Sequence, residues 1–471
     1  MKAGRNEKGK KPILRVVSLV IAIVLLCTAV VTQFDAISQF AAVLAEEDPL
    51  SRIYSILQDE IDEPQTYDDY YQLANIAIGQ GNYEEALGYL DECSALADES
   101  DGALMADLML RKASLYMLMQ NYDDALAALE SALEYDPESS QALLLRAQIE
   151  LAQQSYLPAA RDLESYLALV PDDAAVRQDL AQIYEVLGRY AEAAECYEAI
   201  YTQFPQESVY RLEALRCQLL AGEYETARDG FTAYIDEHEQ TEVSETSSEA
   251  DADGQNASME ALLATAYFLR GCCEMQLANY ELAIADFEGA LERGYSEAAT
   301  LEQLVTCSYI SENYEAVIAY GERLLALPDA SASLGSVYQQ MGASAMSLGQ
   351  YEEAVEYLTL AIENGPELVG SYYYRGVSLL SLGRYEEAVA DFTSSIEQGY
   401  LTQFCYYNRG VCYVNLLDYD SALDDMEMTL TSGDEQTLKD AATNILWQLA
   451  QYYESQRLLE GEQIDAEQIV E

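Results

Sequence analysis

Apolar residues recur along most of this chain at intervals of three and four, the spacing that places them on one face of a helix. The helical stretches are punctuated at a fixed interval, and a tyrosine marks it: Tyr83, Tyr122, Tyr156, Tyr190, Tyr224, Tyr280, Tyr314, Tyr351, Tyr385 and Tyr419. Successive gaps are 39, 34, 34, 34, 56, 34, 37, 34 and 34 residues, so the three unequal gaps are one period plus an insertion. Three residues after each marker stands an alanine, except for Val317. Seven after it stands a large apolar residue, from Leu90 to Met426, with Gly321 the exception. Nine before it a small residue occurs in eight repeats: Ala74, Ala113, Ala147, Ala181, Gly271, Gly342, Gly376 and Gly410. The turn reads Gly-Asn-Tyr-Glu-Glu-Ala at 81–86, Gly-Gln-Tyr-Glu-Glu-Ala at 349–354 and Gly-Arg-Tyr-Glu-Glu-Ala at 383–388. Glycine stops one helix there, and the acidic pair opens the next at its positive dipole end. Pro137, Pro171, Pro205 and Pro366 close four of the repeats. Each period therefore predicts a helix–turn–helix pair, which cannot bury its apolar face alone and must stack on its neighbours.

In period and in these positions the chain resembles the tetratricopeptide repeat family. The resemblance covers ten repeats over about 66–436, in two sets of five at 66–241 and 259–436. It implies an all-α fold, a right-handed α-solenoid in which the first helix of each pair lines a concave groove. The family's aromatic thirteen residues before the marker is kept as Tyr70, Tyr267, Tyr338, Tyr372 and Tyr406, but is Arg177 and Arg211 in the middle repeats, where less regular packing is expected. Between the two sets, residues 242–258 are acidic and serine-rich with little apolar content, and read as a disordered loop. Asn256-Ala257-Ser258 inside it is read as a chance tripeptide and not as a glycosylation site. Leu438, Ala442, Ile445, Leu449 and Tyr453 keep helical spacing, so 437–460 is expected to be a helix capping the last apolar face, followed by a tail at 461–471.

The first residues carry a different signal. Within 1–15 stand Lys2, Arg5, Lys8, Lys10, Lys11 and Arg15 against Glu7 alone, and an apolar run follows from Val16 to Val31. Sixteen helical residues rise about 24 Å, and extension to Phe34 with Arg15 snorkelling brings the segment to spanning length. Residues 16–34 are thus expected to be a transmembrane signal anchor, with the basic 1–15 cytoplasmic, 35–65 a spacer, and the repeats outside the cytoplasm. The competing reading is a signal peptide cleaved near Ala45, after Val43-Leu44-Ala45, which would release a secreted protein.

Charge and composition narrow the function. With 24 Lys+Arg against 83 Asp+Glu the net charge is −59, which disfavours nucleic acid, because phosphate neutralisation needs surplus cations. His238 is the only histidine and reads as a solvated side chain, so there is no His-based triad and no multi-histidine zinc site. No phosphate-binding glycine loop occurs, and carboxylates are too numerous for any one pair to stand out. No enzyme activity, cofactor or metal is expected. Among nine cysteines, Cys217, Cys273, Cys307 and Cys412 share one offset, seven before the marker, and read as small buried free thiols. That sits awkwardly with an extracytoplasmic body.

Binding is the remaining function. Positions about twelve and eight before the marker face the expected groove, and in the last two repeats they are Tyr373, Val377, Tyr407 and Val411, with Tyr374, Phe404 and Asn408 beside them. These seven are the candidate peptide-binding residues, and the competing reading is that the tyrosines only pack one repeat on the next. Asn75 stands where some relatives hold a C-terminal carboxylate, but Tyr71 replaces the adjoining lysine, so that mode is not expected. The expected function is a membrane-anchored, extracytoplasmic, non-catalytic scaffold or adaptor for a protein or peptide that is basic or aromatic and apolar. The alternative is a spacer of an envelope assembly that associates with itself.

Overall fold

The computed structural model describes residues 49–59, 61, 63–245, 252–328, 334–366 and 368–468. The expected anchor at 16–34, its basic flank and the alternative cleavage site near Ala45 lie outside the described residues. Among the described residues there are 22 helices and no strand, and no helix is long and apolar enough to cross a membrane. Helix α1 (Pro49–Asp59) sets the ring of Tyr54 against Gly79 of α2. Ten helix pairs then follow. They are α2 (Tyr67–Gln80) with α3 (Tyr83–Leu96), α4 (Gly102–Leu118) with α5 (Tyr122–Tyr135), and α6 (Ser140–Ala152) with α7 (Tyr156–Leu169). Next come α8 (Ala174–Val186) with α9 (Tyr190–Gln203), α10 (Ser208–Leu220) with α11 (Tyr224–Glu245), and α12 (Ala252–Gln276) with α13 (Tyr280–Glu292). The last four pairs are α14 (Glu297–Ile310) with α15 (Tyr314–Leu325), α16 (Leu334–Ser347) with α17 (Tyr351–Asn364), α18 (Ser371–Ser381) with α19 (Tyr385–Glu397), and α20 (Thr402–Asn415) with α21 (Tyr419–Thr431). Helix α22 (Gln436–Gln468) closes the series.

In every pair the marker tyrosine is the first residue of the second helix. The residue two before it is in the left-handed region in all ten repeats, as Gly81, Gly188, Gly222, Gly349 and Gly383 in five and as Gln120, Gln154, Ala278, Glu312 and Leu417 in the others. The N–H of the next residue then reaches back to the carbonyl six before the marker at 2.7–3.0 Å, as in Asn82 to Ala77 and Arg384 to Leu379. This is a Schellman stop, which satisfies carbonyls that a helix end would otherwise leave open. The turn geometry is therefore constant while its residue is not.

The small and large positions meet inside each pair. A Cβ on Gly376 would lie 2.9 Å from the ring of Phe392, and one on Gly271 would lie 2.9 Å from Phe287, so glycine nine before the marker is what lets the aromatic seven after it fill the interface. The alanines three after the marker, and Val317 in their place, are fully buried. Where the large residue is missing, at Gly321, the sulfur arm of Met341 from the next pair fills the space.

The chain divides into two compact bodies, residues up to Val176 and from Arg177 on. The division therefore does not fall at 242–258. It falls at Arg177, the first of the two arginines that replace the aromatic thirteen before the marker. In the first body the core runs from Leu73 and Leu90 through Leu108, Leu129 and Ile149 to Leu163. In the second it runs through Phe231, Leu263, Phe287, Leu304, Leu358 and Phe392 to Met426. Two elements extend beyond the sequence reading. Helix α11 continues to Glu245 and α12 starts at Ala252, so 242–245 and 252–258, expected in a disordered loop, are helical, and 246–251 lie outside the described residues. The segment supplies Glu, Gln and Ala, good helix formers, as direct extensions of two packed helices. Within the second body Glu239 near this extension accepts from Arg293 at 2.7 Å and from the phenol of Tyr267 at 2.7 Å. Helix α22, expected over 437–460, runs on to Gln468.

Candidate functional site

Helices α18 and α20 carry all seven candidate residues, and all seven are half-buried. Helical periodicity puts Tyr373 and Val377 on one stripe of α18, and Phe404, Tyr407, Asn408 and Val411 on the matching stripe of α20. Tyr373 meets Tyr374 edge-on at 5.5 Å, Tyr400 at 6.0 Å and the core ring of Phe392 at 6.3 Å. Burial, with smaller contributions from Cys405 and Tyr374, pushes the Tyr373 phenol up to about 12, while a hydrogen bond to Asn408 pulls the other way. The Tyr374 and Tyr400 hydroxyls share a hydrogen bond of 3.2 Å. Burial also pushes the phenol of Tyr309 on α14 up to about 12, with the charge of Tyr374 adding to this. Tyr373, Tyr374 and Tyr400 thus form one aromatic cluster, and Tyr373 and Val377 pack against the core around Phe392. The raised Tyr373 and Tyr309 phenols stay protonated at any physiological pH and keep an O–H to donate.

The reading by period passes over a second constellation. Arg146, Arg270, Arg375 and Arg409, each ten before its marker, grip Asp162, Asp286, Asp391 and Asp425, each six after it, through two hydrogen bonds of 2.6–2.9 Å. The carboxylates are 5–8% exposed. Three of the arginines also donate to a threonine of the preceding pair's second helix: Arg270 to Thr232 at 3.4 Å, Arg375 to Thr359 at 2.9 Å and Arg409 to Thr393 at 2.9 Å. Tyr267, Tyr372 and Tyr406, thirteen before the marker, lie under the same guanidiniums at 5.1, 5.7 and 5.5 Å. Each of these three groups thereby joins two helices of one repeat to the repeat before it. The Arg375 and Arg409 guanidiniums are held further toward the charged form by their aspartate hydrogen bonds, while burial raises the Asp391 carboxyl against the opposing pull of Arg375. A signal for them does exist in the sequence, because the other six repeats carry neither the arginine nor the aspartate at these offsets.

Other candidate chemistry resolves into packing. His238 is half-buried and not fully solvated: its ring stacks on Tyr234 at 4.2 Å, and Nδ1 lies 2.7 Å from the Tyr234 carbonyl oxygen one turn back. Helix α11 continues past it and puts both rings on one face. Cys217, Cys273, Cys307 and Cys412 are fully buried with free thiols. Burial pushes Cys217, Cys273 and Cys412 up to about 12, which keeps them unreactive. Tyr71, in the place of the missing lysine, stacks on Tyr67 at 5.8 Å under the guanidinium of Arg111. Among the described residues no group of three His, Cys, Asp or Glu could hold a metal ion.

Sequence profiles described as tetratricopeptide repeat match residues 70–103, 110–174, 150–215, 264–293 and 340–399. No curated protein matches the chain. Among solved structures, MamA aligns at 16% identity over 39% of this chain and 98% of its own, with a TM-score of 0.29. PilW, a widely conserved type IV pilus biogenesis factor, aligns at 20% identity over 51% of this chain and 99% of its own, with a TM-score of 0.31. Yeast Tom70 aligns at 14% identity over 82% of this chain and 96% of its own, with a TM-score of 0.30. Scores this low carry no inference about ligand or partner.

Proposed function

Because the chain belongs to the tetratricopeptide repeat family, we propose that it is a non-catalytic scaffold or adaptor that holds a protein or peptide against the first helices of its last two repeats. The observation that supports this is the side-chain population of α18 and α20, where Tyr373, Tyr374, Val377, Phe404, Tyr407, Asn408 and Val411 are uncharged and half-buried. Aromatic side chains of this kind bury large areas on binding at low entropic cost. The sequence of 1–34 supports a place at a membrane, with 16–34 as the anchor and the repeats outside the cytoplasm; cleavage near Ala45 would make the protein secreted instead. Crosslinking in cells, membrane extraction and mass spectrometry of what travels with the tagged chain test the whole reading. A discrete partner recovered with the wild type and lost from a folded Tyr373→Ala/Tyr407→Ala double variant is the expected result. Equal recovery from both removes α18 and α20 from the site. Resistance of the tagged chain to alkaline extraction, lost when 16–34 is deleted, is expected of the anchor.

A second reading has one observation in its favour. The only tryptophan, Trp447, is 67% exposed on α22, on the helix that ends the stack. A self-associating spacer would use such an end contact. It predicts a defined oligomer of the full chain in detergent by light scattering, which Trp447→Gln dissolves; a strict monomer removes this reading.

A further inference from the structure

The acidic residues of the last three repeats are not spread evenly. Second helices α17, α19 and α21 hold twelve Asp and Glu, whereas first helices α16, α18 and α20 hold none. These first helices pack side by side in chain order, so their faces adjoin. In a chain with 83 Asp and Glu, three neighbouring helices without one form a separate electrostatic zone. Their only charges, Arg375 and Arg409, are both committed to the two oxygens of Asp391 and Asp425. The zone is therefore neutral and has no ionic valence left over. It is instead dense in aromatic rings, with seven tyrosines and Phe404 in these three helices, all half-buried. Amides and hydroxyls complete it: Gln340, Asn408 and Asn415 are on the same helices.

We propose that the surface of α16, α18 and α20 is built for an extended, uncharged, proline-containing segment of a partner protein, and not for a basic one; this rests on the interaction reading above. A lysine or arginine laid on this surface would be desolvated with no carboxylate on these helices to meet it, a cost that the attraction of acids on other elements through solvent does not offset. An acidic segment finds no free cation and approaches a chain of net charge −59. A neutral segment meets neither cost. The face of Tyr407 takes the flat proline ring, and its phenolic O–H donates to a backbone carbonyl that a proline-rich strand leaves exposed. Such a strand is already extended, so little chain entropy is lost on docking.

The test uses the full-length chain in detergent and three labelled short peptides that alternate proline with glutamine, with lysine or with glutamate. Fluorescence anisotropy at physiological salt is expected to rank the glutamine peptide first by at least about tenfold over both others, with an affinity that does not change with salt. Tyr407→Ala is expected to weaken it about tenfold and Tyr407→Phe to lose less, since the ring remains and only the donor goes. Circular dichroism of each variant separates loss of binding from loss of fold, and Tyr407→Phe serves if the alanine variant does not fold. Tightest binding by the lysine peptide with strong salt dependence overturns the proposal, as does equal binding of all three or none. The scaffold reading is judged separately: if the cellular partner is still lost in the groove variant while the lysine peptide wins here, only the neutral-segment assignment falls.

Discussion

At the scale of single residues, the turn before each marker tyrosine shows what a fixed backbone demands of a variable side chain. Five of the ten left-handed positions are not glycine, and Leu417 is the least suited of them, with φ +62° and 71% exposure. Its side chain buries little, so Leu417→Gly removes strain of about 1 kcal/mol and loses almost no packing. The expected result is a rise in the denaturant midpoint, and a fall would mean that the leucine has an unseen partner. Glu150, inside α6, is at odds with its surroundings in a different way. One of its carboxylate oxygens is buried with no hydrogen-bond partner, beside the Arg146–Asp162 pair. Burial raises its carboxyl to about 7, the Asp162 charge adds to this, and Arg146 opposes it. With the folded value above the unfolded one, the native state holds the proton more tightly. Stability from this group is therefore full below its ordinary carboxylate range and is lost as pH rises to about 7. Glu150→Gln should accordingly stabilise the chain at pH about 8 by roughly 1 kcal/mol, a figure reduced for the partial exposure of the group, and change little at pH about 4. Melting curves of both chains across this range read the difference.

At the scale of elements, the helix pair depends on two devices that behave differently under substitution. The glycine–aromatic contact is steric. Gly376→Ala brings a Cβ to 2.9 Å from Phe392 in a closely packed interface, so a loss of about 1–3 kcal/mol is expected in chemical denaturation. The Arg–Asp grip is electrostatic. Asp391→Ala leaves the Arg375 guanidinium buried without its acceptor and should cost about 3 kcal/mol, whereas Arg375→Met with Asp391→Leu should come out near neutral. A double-mutant cycle distinguishes the two outcomes. The steric device was legible in the sequence because small and large residues at fixed offsets from Tyr83 to Tyr419 recur too often for chance. The ionic one is legible only as a matched pair, because 83 carboxylates make any single Asp look unremarkable until it is set against the much rarer arginine ten before the marker. Tyr373 illustrates a further limit. Its place on the groove stripe follows from helical spacing, but its rest on Phe392 and Tyr400 depends on a ring contributed from the next turn of the chain, which spacing on one helix does not encode.

At the scale of the whole molecule, charge and periodicity set the behaviour. A net charge of −59 opposes compaction through self-repulsion, so raising salt from about 0.02 to 0.5 M should raise the melting temperature even though the buried Arg–Asp pairs are little screened. A melting temperature insensitive to salt would mean that the surface acids are already neutralised by bound cations. The boundary at Val176 and the continuous helices bordering 246–251 show that an insertion visible in the sequence is not by itself a division of the fold: helix-forming residues simply lengthened the elements they joined. The turn described above has one more consequence, and it concerns ancestry. Its holding bonds run between backbone groups, and the hexapeptides at 349–354 and 383–388 differ only at Gln350 and Arg384. Two gene copies that misalign by one period at such near-identical stretches would recombine in frame and produce a chain one helix pair longer or shorter, with every remaining junction closed by the same bonds. For a protein assembled in this way, length is a heritable variable that selection can adjust in whole steps.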